Sequence, residues 1–337
     1  MIHLTNKIYS NVKKTITENW RLFLALIGVA FLFCYDTSYV VYTPGGYIDL
    51  SDRIEVTNGN NAVGSLGMAY VSMIKGNLFF VGLSYLNKNW DLVSKNDITY
   101  DNETMKIAEK RERISMEEAV SNAKIAAFKL ANKSYNILNT KHIITYLDNQ
   151  DTTLEVFDEV KRVDGIDIVD IANIRELVSK KDVGDYINLE VLRDEKLINA
   201  TAKIQEVNGN KLVGIAFTNV NEVETDPEVN VKVKDNESGP SGGLMMSLGI
   251  YNSLVSEDIT KGKKIIGTGT IDSEGNVGEI GGVKYKLIGA VKNKASVFLC
   301  PRANYEEAIR VAQSYNYDIM VIAVDTLEGA IEELAKL

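Results

Sequence analysis

Apolar and polar positions repeat with different periods along this chain, and the changes of period divide it. An unbroken apolar run covers Leu22 to Tyr35 (LFLALIGVAFLFCY), and apolar residues resume at Tyr39 to Tyr42. As a helix the run would be about 21 Å long at ~1.5 Å per residue, against a hydrocarbon core of ~30 Å. Its flanks favour an anchor: Trp20 and Tyr35 stand where interfacial aromatics belong, and Arg21 can snorkel outward. No small-residue cleavage site follows it. The pattern predicts a retained transmembrane helix over residues 21–42 behind a tail of residues 1–20. Lys7, Lys13, Lys14 and Arg21 precede the run with Glu18 the lone acid, whereas Asp36, Asp49, Asp52 and Glu55 follow it against Arg53. That asymmetry places the tail in the cytoplasm and the bulk of the chain outside a bacterial cell membrane.

Beyond the turn Thr43-Pro44-Gly45-Gly46, residues 43–136 read as a mixed connecting domain. Ser115-Met116-Glu117-Glu118 has the capping-box pattern, and Ala119, Ala123, Ala126, Ala127 and Leu130 continue one apolar helix face. This segment carries no recognisable chemistry. Residues 137–207 predict a β module: strands at Ile143–Tyr146 and Val160–Val163, an Asp164-Gly165 turn, and a short helix capped by Asp170 and ending at Ser179. Alternating strands follow at Tyr186–Leu192 and Leu197–Ile204 around Arg193-Asp194-Glu195. From residue 208 to 337 the pattern becomes α/β, with a strongly apolar helix from Leu244 to Val255. Strands are expected at Lys264–Ile271, Val277–Ile280, Val297–Leu299 and Met320–Val324, between helices near Val283, Tyr305–Ser314 and the C-terminus. The fold class is α+β, multidomain.

Composition narrows the chemistry. The 337 residues include 37 Lys plus Arg and 46 Asp plus Glu, a net charge of −9 that argues against a nucleic-acid partner. Only two histidines, His3 and His142, and two cysteines, Cys34 and Cys300, are present, too few for a structural zinc site or a disulfide framework. No glycine-rich stretch ends in Gly-Lys-Ser/Thr, so no P-loop binds a nucleotide. Neither metal nor organic cofactor is expected.

The sharpest local feature is Gly239-Pro240-Ser241-Gly242-Gly243. It satisfies Gly-x-Ser-x-Gly, but an elbow hydrolase needs a histidine after the serine, and none exists beyond His142. A serine still requires a base. The remaining kind of candidate is a lysine kept neutral by burial, which can take the serine proton near pH 7–8. Gly281-Gly282-Val283-Lys284-Tyr285-Lys286-Leu287 offers two, and at two positions apart on a helix only one can face the serine. Lys286 has Gly282, Val283 and Ala290 at spacings of three and four, so geometry leans to it without settling the choice.

The pairing of GPSGGLMMSL with GTGTIDSEGNVGEIGGVKYKL resembles the proteolytic domain of Lon-type Ser-Lys peptidases. The order strand, VDG, short helix and GDYINLEVLRD over 137–207 resembles a PDZ domain. Together with the apolar run and YTPGGYIDL after it, the chain is most similar to the membrane-anchored PDZ–Lon branch, which lacks an ATPase module. The resemblance implies an ATP-independent serine endopeptidase with Ser241 as nucleophile and Lys286 as base. It places a supporting threonine at Thr268, with Gly239, Gly242 and Gly243 opening the backbone to substrate. It also implies an oxyanion site at the N–H groups of Ser241 and Gly242. Two acidic positions of the ATP-dependent enzymes are occupied here by Ser238 and Thr270. Peptides or extended protein segments are the implied substrates, and because Lon proteolytic domains form rings, a homo-oligomer is admitted. The competing reading is a catalytically silent, membrane-tethered PDZ peptide-binding scaffold.

Overall fold

The computed structural model describes residues 13–101 and 103–337. His3, Lys7 and much of the tail expected over residues 1–20 lie outside the described residues. Along the chain, α1 (Trp20–Cys34) is followed by β1 (Asp36–Asp49), β2 (Ile54–Val56), β3 (Ser65–Asn77), α2 (Leu78–Ser84), β4 (Asp91–Ser94) and α3 (Met105–Leu130). Two compact units result. One takes the described residues up to Gly45 together with Val71–Met105; the other takes Gly46–Tyr70 and Lys106–Leu337. Residues 43–136 are thus divided between the two.

In the first unit α1 is apolar and has no buried residue. It ends at Cys34 because the backbone from Asp36 onward is committed to a sheet, with Tyr39–Tyr42 pairing antiparallel with Ser94–Asp91. This corrects the expectation of a transmembrane helix over 21–42. Val40 and Val41 are 4% and 0% exposed, so their apolarity serves a protein core. A helix of 15 residues is about 22 Å long, and among the described residues no helix is long and apolar enough to cross a membrane. Phe33 stacks on Phe79 at 4.5 Å between centroids, and Asn77 caps α2 through Phe80 N while donating to the Phe33 carbonyl.

Two larger sheets stand out among the described residues of the second unit, beside three two-stranded pairings. The first is built from β5 (Ser134–Leu147), β6 (Glu159–Val163), β7 (Ile166–Asp167), β8 (Tyr186–Arg193), β9 (Lys196–Lys203) and, beyond the hairpin of β10 (Gln205–Val207) and β11 (Asn210–Leu212), β12 (Ile215–Asp226). Its order is β12-β5-β6-β8-β9, with β7 on β6. Helix α4 (Ile171–Ser179) lies between β7 and β8 in sequence and starts at a capping box in which Asp170 and Asn173 bond each other's backbone. Ile174 and Val178 of α4 pack with Val160, Ile187, Leu189 and Val191 of the sheet. Asp170 therefore caps the helix as its sequence indicated.

The second sheet carries the C-terminal chemistry. After β13 (Val229–Val231) come α5 (Gly243–Leu254), β14 (Lys264–Gly267), β15 (Thr270–Ile271), β16 (Val277–Gly278), α6 (Val283–Lys292), β17 (Val297–Pro301), α7 (Arg302–Ser314), β18 (Met320–Val324) and α8 (Leu327–Ala335). Ser65–Met68 of β3, β14, β17 and β18 lie side by side and parallel. Such a sheet must be covered on both faces. Successive side chains point to opposite faces, and the division is visible here: Ile265 and Leu299 join the core with α3, α5 and α8, whereas Ile266, Phe298 and Cys300 join the core with α6 and α7. Two parts of this layer come from before the β module, β3 and α3. Helix α3 begins at Met105, so Ser115 lies inside it and the capping-box reading there is corrected. The buried positions Ala108, Arg111 and Ile114 upstream of Ser115 explain the longer helix.

The first sheet depends on one buried ion pair. Asp158, 0% exposed, accepts from Arg193 Nε and Nη2 at 2.7 Å each and from Glu155 N at 2.8 Å. Asp158→Ala leaves Arg193, whose side chain is 20% exposed, paired with Glu155 alone and strips the Glu155 N–H of its acceptor. It is expected to destabilise the protein by about 1.5–3 kcal/mol in urea unfolding, the range for hydrogen bonds to a charged group. Asp167→Ala, which removes a 78%-exposed carboxylate from Arg162, is expected to change stability by less than about 1 kcal/mol.

Candidate functional site

Ser241 sits in a single turn, Pro240–Gly242, that feeds directly into α5. The turn requires glycine before it: Gly239 has φ +89°, in the region that side chains avoid. Its N–H donates to the Glu112 carbonyl at 2.9 Å, which fastens the approach to Ser241 onto α3. At Gly242 and Gly243, an added Cβ would lie 2.7 Å from Met68 Sδ and 2.8 Å from Ile271 Cγ2. The space at these two positions is therefore taken by the protein's own β3 and β15, packed close against the start of α5.

The strand expected over Lys264–Ile271 breaks into β14 and β15, and the break is the second part of the site. Thr268 is 0% exposed, and its N–H donates to the Leu299 carbonyl at 3.0 Å. Its hydroxyl donates to the Ser241 carbonyl oxygen at 2.9 Å, and Gly269 N–H donates to the same oxygen at 2.8 Å. Leu244 N, in the first turn of α5, returns a bond to the Gly269 carbonyl at 3.0 Å. Three hydrogen bonds thus tie the serine turn to the Thr268-Gly269 break. This tie fixes the height and orientation of Ser241 relative to the sheet.

Lys286 completes the arrangement from α6. Its side chain is 3% exposed, and its Nζ donates to Thr268 Oγ1 at 3.0 Å. Val283, Leu287 and Ala290, on the same helix, are each 0% exposed. Burial lowers the Lys286 ammonium from its usual range to about 8. Lys284 is only half-buried, with its Nζ 5.4 Å from the centre of the Tyr285 ring. Of the two lysines, it is Lys286 that the fold brings to Thr268 and hence to the serine turn.

The chemistry follows from a count of protons and lone pairs. Thr268 Oγ1 spends its one proton on the Ser241 carbonyl, so it can only accept from Lys286. A neutral amine has two N–H bonds and one lone pair. With one N–H directed at Thr268, the lone pair is left for another proton, and the nearest chain segment that Thr268 holds is the serine turn. Ser241 is half-buried at the head of α5, where helix N–H groups and the helix dipole favour an anion. The structure thus brings together Ser241, Thr268 and Lys286, with Gly239, Gly242 and Gly243 shaping the turn. It also adds two residues that sequence motifs did not mark, Glu112 and Met68. Both act across long sequence separations, so no local spacing could have marked them.

The lowered ammonium carries a stability consequence. Between about 8 and 10.5 the unfolded chain holds a proton that the folded chain has lost, so stability rises with pH in that window. Below it, both states are protonated and the full cost of burying the charge is present. Lys286→Met, which removes the charge at similar length, is expected to raise the thermal midpoint at pH 7. That gain should shrink between pH 8 and 10.5; a midpoint gain unchanged across this range would show that Lys286 titrates normally.

Residues 188–336 match the family of the Lon protease (S16) C-terminal proteolytic domain. Lon protease of Campylobacter jejuni is 28% identical over 278 residues, covering 71% of this chain and 33% of that protein. Lon protease of Campylobacter concisus is 37% identical over 98 residues, covering 28% of this chain and 12% of that protein. The chain therefore spans a third or less of the length of these two curated relatives. Among solved structures, the PDZ domain of the SdrC-like protein from Listeria monocytogenes covers 24% of this chain and 92% of its own, at 16% identity and a TM-score of 0.23. The C-terminal part of this chain carries a Lon-type (S16) proteolytic domain, and within its matched residues lie Ser241, Thr268 and Lys286.

Proposed function

We propose that this chain is an ATP-independent serine endopeptidase that cuts peptides or extended protein segments with a Ser241–Lys286 dyad. The observation that carries the proposal is the hydrogen-bond path from buried Lys286 through Thr268 to the Ser241 backbone. Neutral Lys286 takes the Ser241 proton as Oγ attacks a peptide carbonyl. The resulting oxyanion lies at the Ser241 and Gly242 N–H groups, and the ammonium then protonates the leaving amine. Water, deprotonated by the same lysine, hydrolyses the acyl-enzyme and regenerates Ser241. Thr268 is a positioning residue that holds one lysine N–H and the serine backbone at once.

Activity without ATP is proposed because these 337 residues contain no P-loop pattern, and the proposed substrates arrive already extended. The sheet of β5, β6, β8, β9 and β12 with α4 is proposed to hold peptide as a PDZ domain does, by strand addition at an edge. Helix α1, with Leu22, Ile27 and Phe31 more than half exposed, is proposed to attach the chain to a bacterial cell membrane, with the C-terminal unit on the outer side.

Digestion of a peptide library by the full chain in detergent, read by mass spectrometry, tests the activity. Cleavage is expected without ATP, with a rate that rises with pH around a midpoint of about 8 as the Lys286 amine becomes neutral. Ser241→Ala should abolish it, and Lys286→Ala should lower kcat by roughly 10²–10⁴-fold, the usual contribution of a proton-transfer group. Lys284→Ala should remain active. Full activity in Lys286→Ala would refute the dyad, and a wild type that binds peptides yet cuts none would favour a silent scaffold.

A further inference from the structure

The chain just ahead of Ser241 is gripped by two segments that are distant in sequence. Antiparallel pairing of β13 with β2 ends at Val231, opposite Ile54, and one more bond extends it, from Lys232 N to the Arg53 carbonyl at 2.8 Å. The chain then turns over Lys234–Glu237. Glu237 N donates to the Lys234 carbonyl at 2.9 Å and Lys234 N donates to Glu237 Oε2 at 3.0 Å, so Glu237 closes the turn twice. Its other carboxylate oxygen, Oε1, accepts from Arg53 Nη2 at 2.5 Å. Two residues on, Gly239 N–H is held by the Glu112 carbonyl of α3. Residues 232–239 thus form a strap that Arg53 clamps at two points and α3 at its end. Two further residues bring the chain to Ser241.

Arg53 is itself a fixed point. Its N–H closes the preceding turn on the Leu50 carbonyl at 3.0 Å, and Leu50 is buried in one core with Leu248 and Ile250 of α5. Ile54 packs on the same core, and an added Cβ at Gly249 of α5 would lie 2.7 Å from its Cδ1. The anchor of the strap and the helix that Ser241 leads into therefore belong to one packed body. The clamp is ionic and nearly out of water, with the Arg53 and Glu237 side chains 10% and 12% exposed. The neighbouring Lys232–Glu55 pair is exposed, where a pair contributes little. A nearly buried pair adds little net stability over well-packed apolar residues, although breaking it strands a charge. What it supplies is a single arrangement, because the carboxylate must stay where both the guanidinium and Lys234 N–H reach it.

We propose that Arg53 and Glu237 are positioning residues for Ser241: their ion pair fixes the course of the strap that delivers the serine to Thr268 and Lys286. The inference rests on the peptidase reading above and extends it to two residues outside the hydrogen-bond path from Lys286 to the serine backbone. Neither binds substrate or moves a proton. Loss of the pair therefore lowers kcat, because a displaced Oγ reaches the attacking geometry less often. KM and the pH midpoint set by Lys286 stay in place.

Arg53→Met and Glu237→Met each leave a nearly buried charge unpaired and are expected to lose stability. The deciding variant is the double one, Arg53→Met with Glu237→Met, in which neither charge remains and the urea midpoint is expected to return close to the wild-type value. In the full chain in detergent, hydrogen exchange at the Gly239, Ser241 and Gly242 amides should still run at least tenfold faster than in the wild type, with the amides of α7 unchanged. On matched peptides kcat should fall at least tenfold, with KM within twofold and the pH midpoint unmoved. Glu55→Ala, which removes only the exposed partner of Lys232, should alter neither exchange nor kcat. Wild-type exchange or wild-type kcat in the double variant would overturn the positioning role and leave the peptidase standing, as would an equal loss in Glu55→Ala. A double variant no more stable than the single ones would overturn it too, since the pair would then hold the whole fold. Faster exchange confined to the serine turn, in a protein whose wild type cuts nothing, would retain the hold on that turn and remove the peptidase.

Discussion

Lys286 is 3% exposed, and its amine donates a hydrogen bond to a hydroxyl. A carboxylate in the place of Thr268 would stabilise the ammonium and raise its pKa; a hydroxyl does not, so desolvation is left to dominate. The lowering to about 8 follows from the burial of the amine. Much of the surrounding fold maintains the condition. Val283, Leu287 and Ala290 keep water from the helix face, and the parallel sheet gives α6 an apolar surface to lie on. Thr268 is available as the partner because the strand breaks between Gly267 and Thr270, which frees its hydroxyl to bridge to the serine turn.

That bridge also couples the parts of the domain. The Ser241 carbonyl receives both Thr268 Oγ1 and Gly269 N–H, while Gly239 is held by Glu112 of α3. Ser241 is therefore positioned by a helix that precedes the β module and a strand break that follows it. The same helix and residues 231, 233, 234, 235 and 237 also line a cavity of mixed apolar and charged walls.

The C-terminal sheet was largely legible in the sequence because its strands are short runs of buried β-branched residues between clear helices, as at Ile265-Ile266 and Val297–Leu299. Asp170 was legible as a cap because its partner is three residues away. The serine and the lysine stood out through glycine-rich context, but only burial in the fold separates Lys286 from Lys284. The misreadings share a different cause. Tyr39–Tyr42 is as apolar as a membrane segment, and what makes it a strand is pairing with residues about fifty positions away. The capping-box pattern at Ser115 is locally sound, yet Ala108, Arg111 and Ile114 are buried by tertiary contacts that carry the helix back to Met105. β3 joins the C-terminal sheet across almost two hundred residues, and Met68 and Glu112 reach the site by such long-range contacts.

The central claim is that burial beside Thr268 lowers the Lys286 ammonium to about 8, so that a fraction of the amine is neutral near physiological pH. Its most direct test is an NMR titration of the lysine side-chain amines in the isotopically labelled full chain, with Lys286 assigned by its loss in Lys286→Met. A midpoint near 8 for that resonance, distinct from the other lysines, is the predicted result. A midpoint at or above 10.5 would mean the amine is charged wherever the chain is folded, and the dyad described above would have no base.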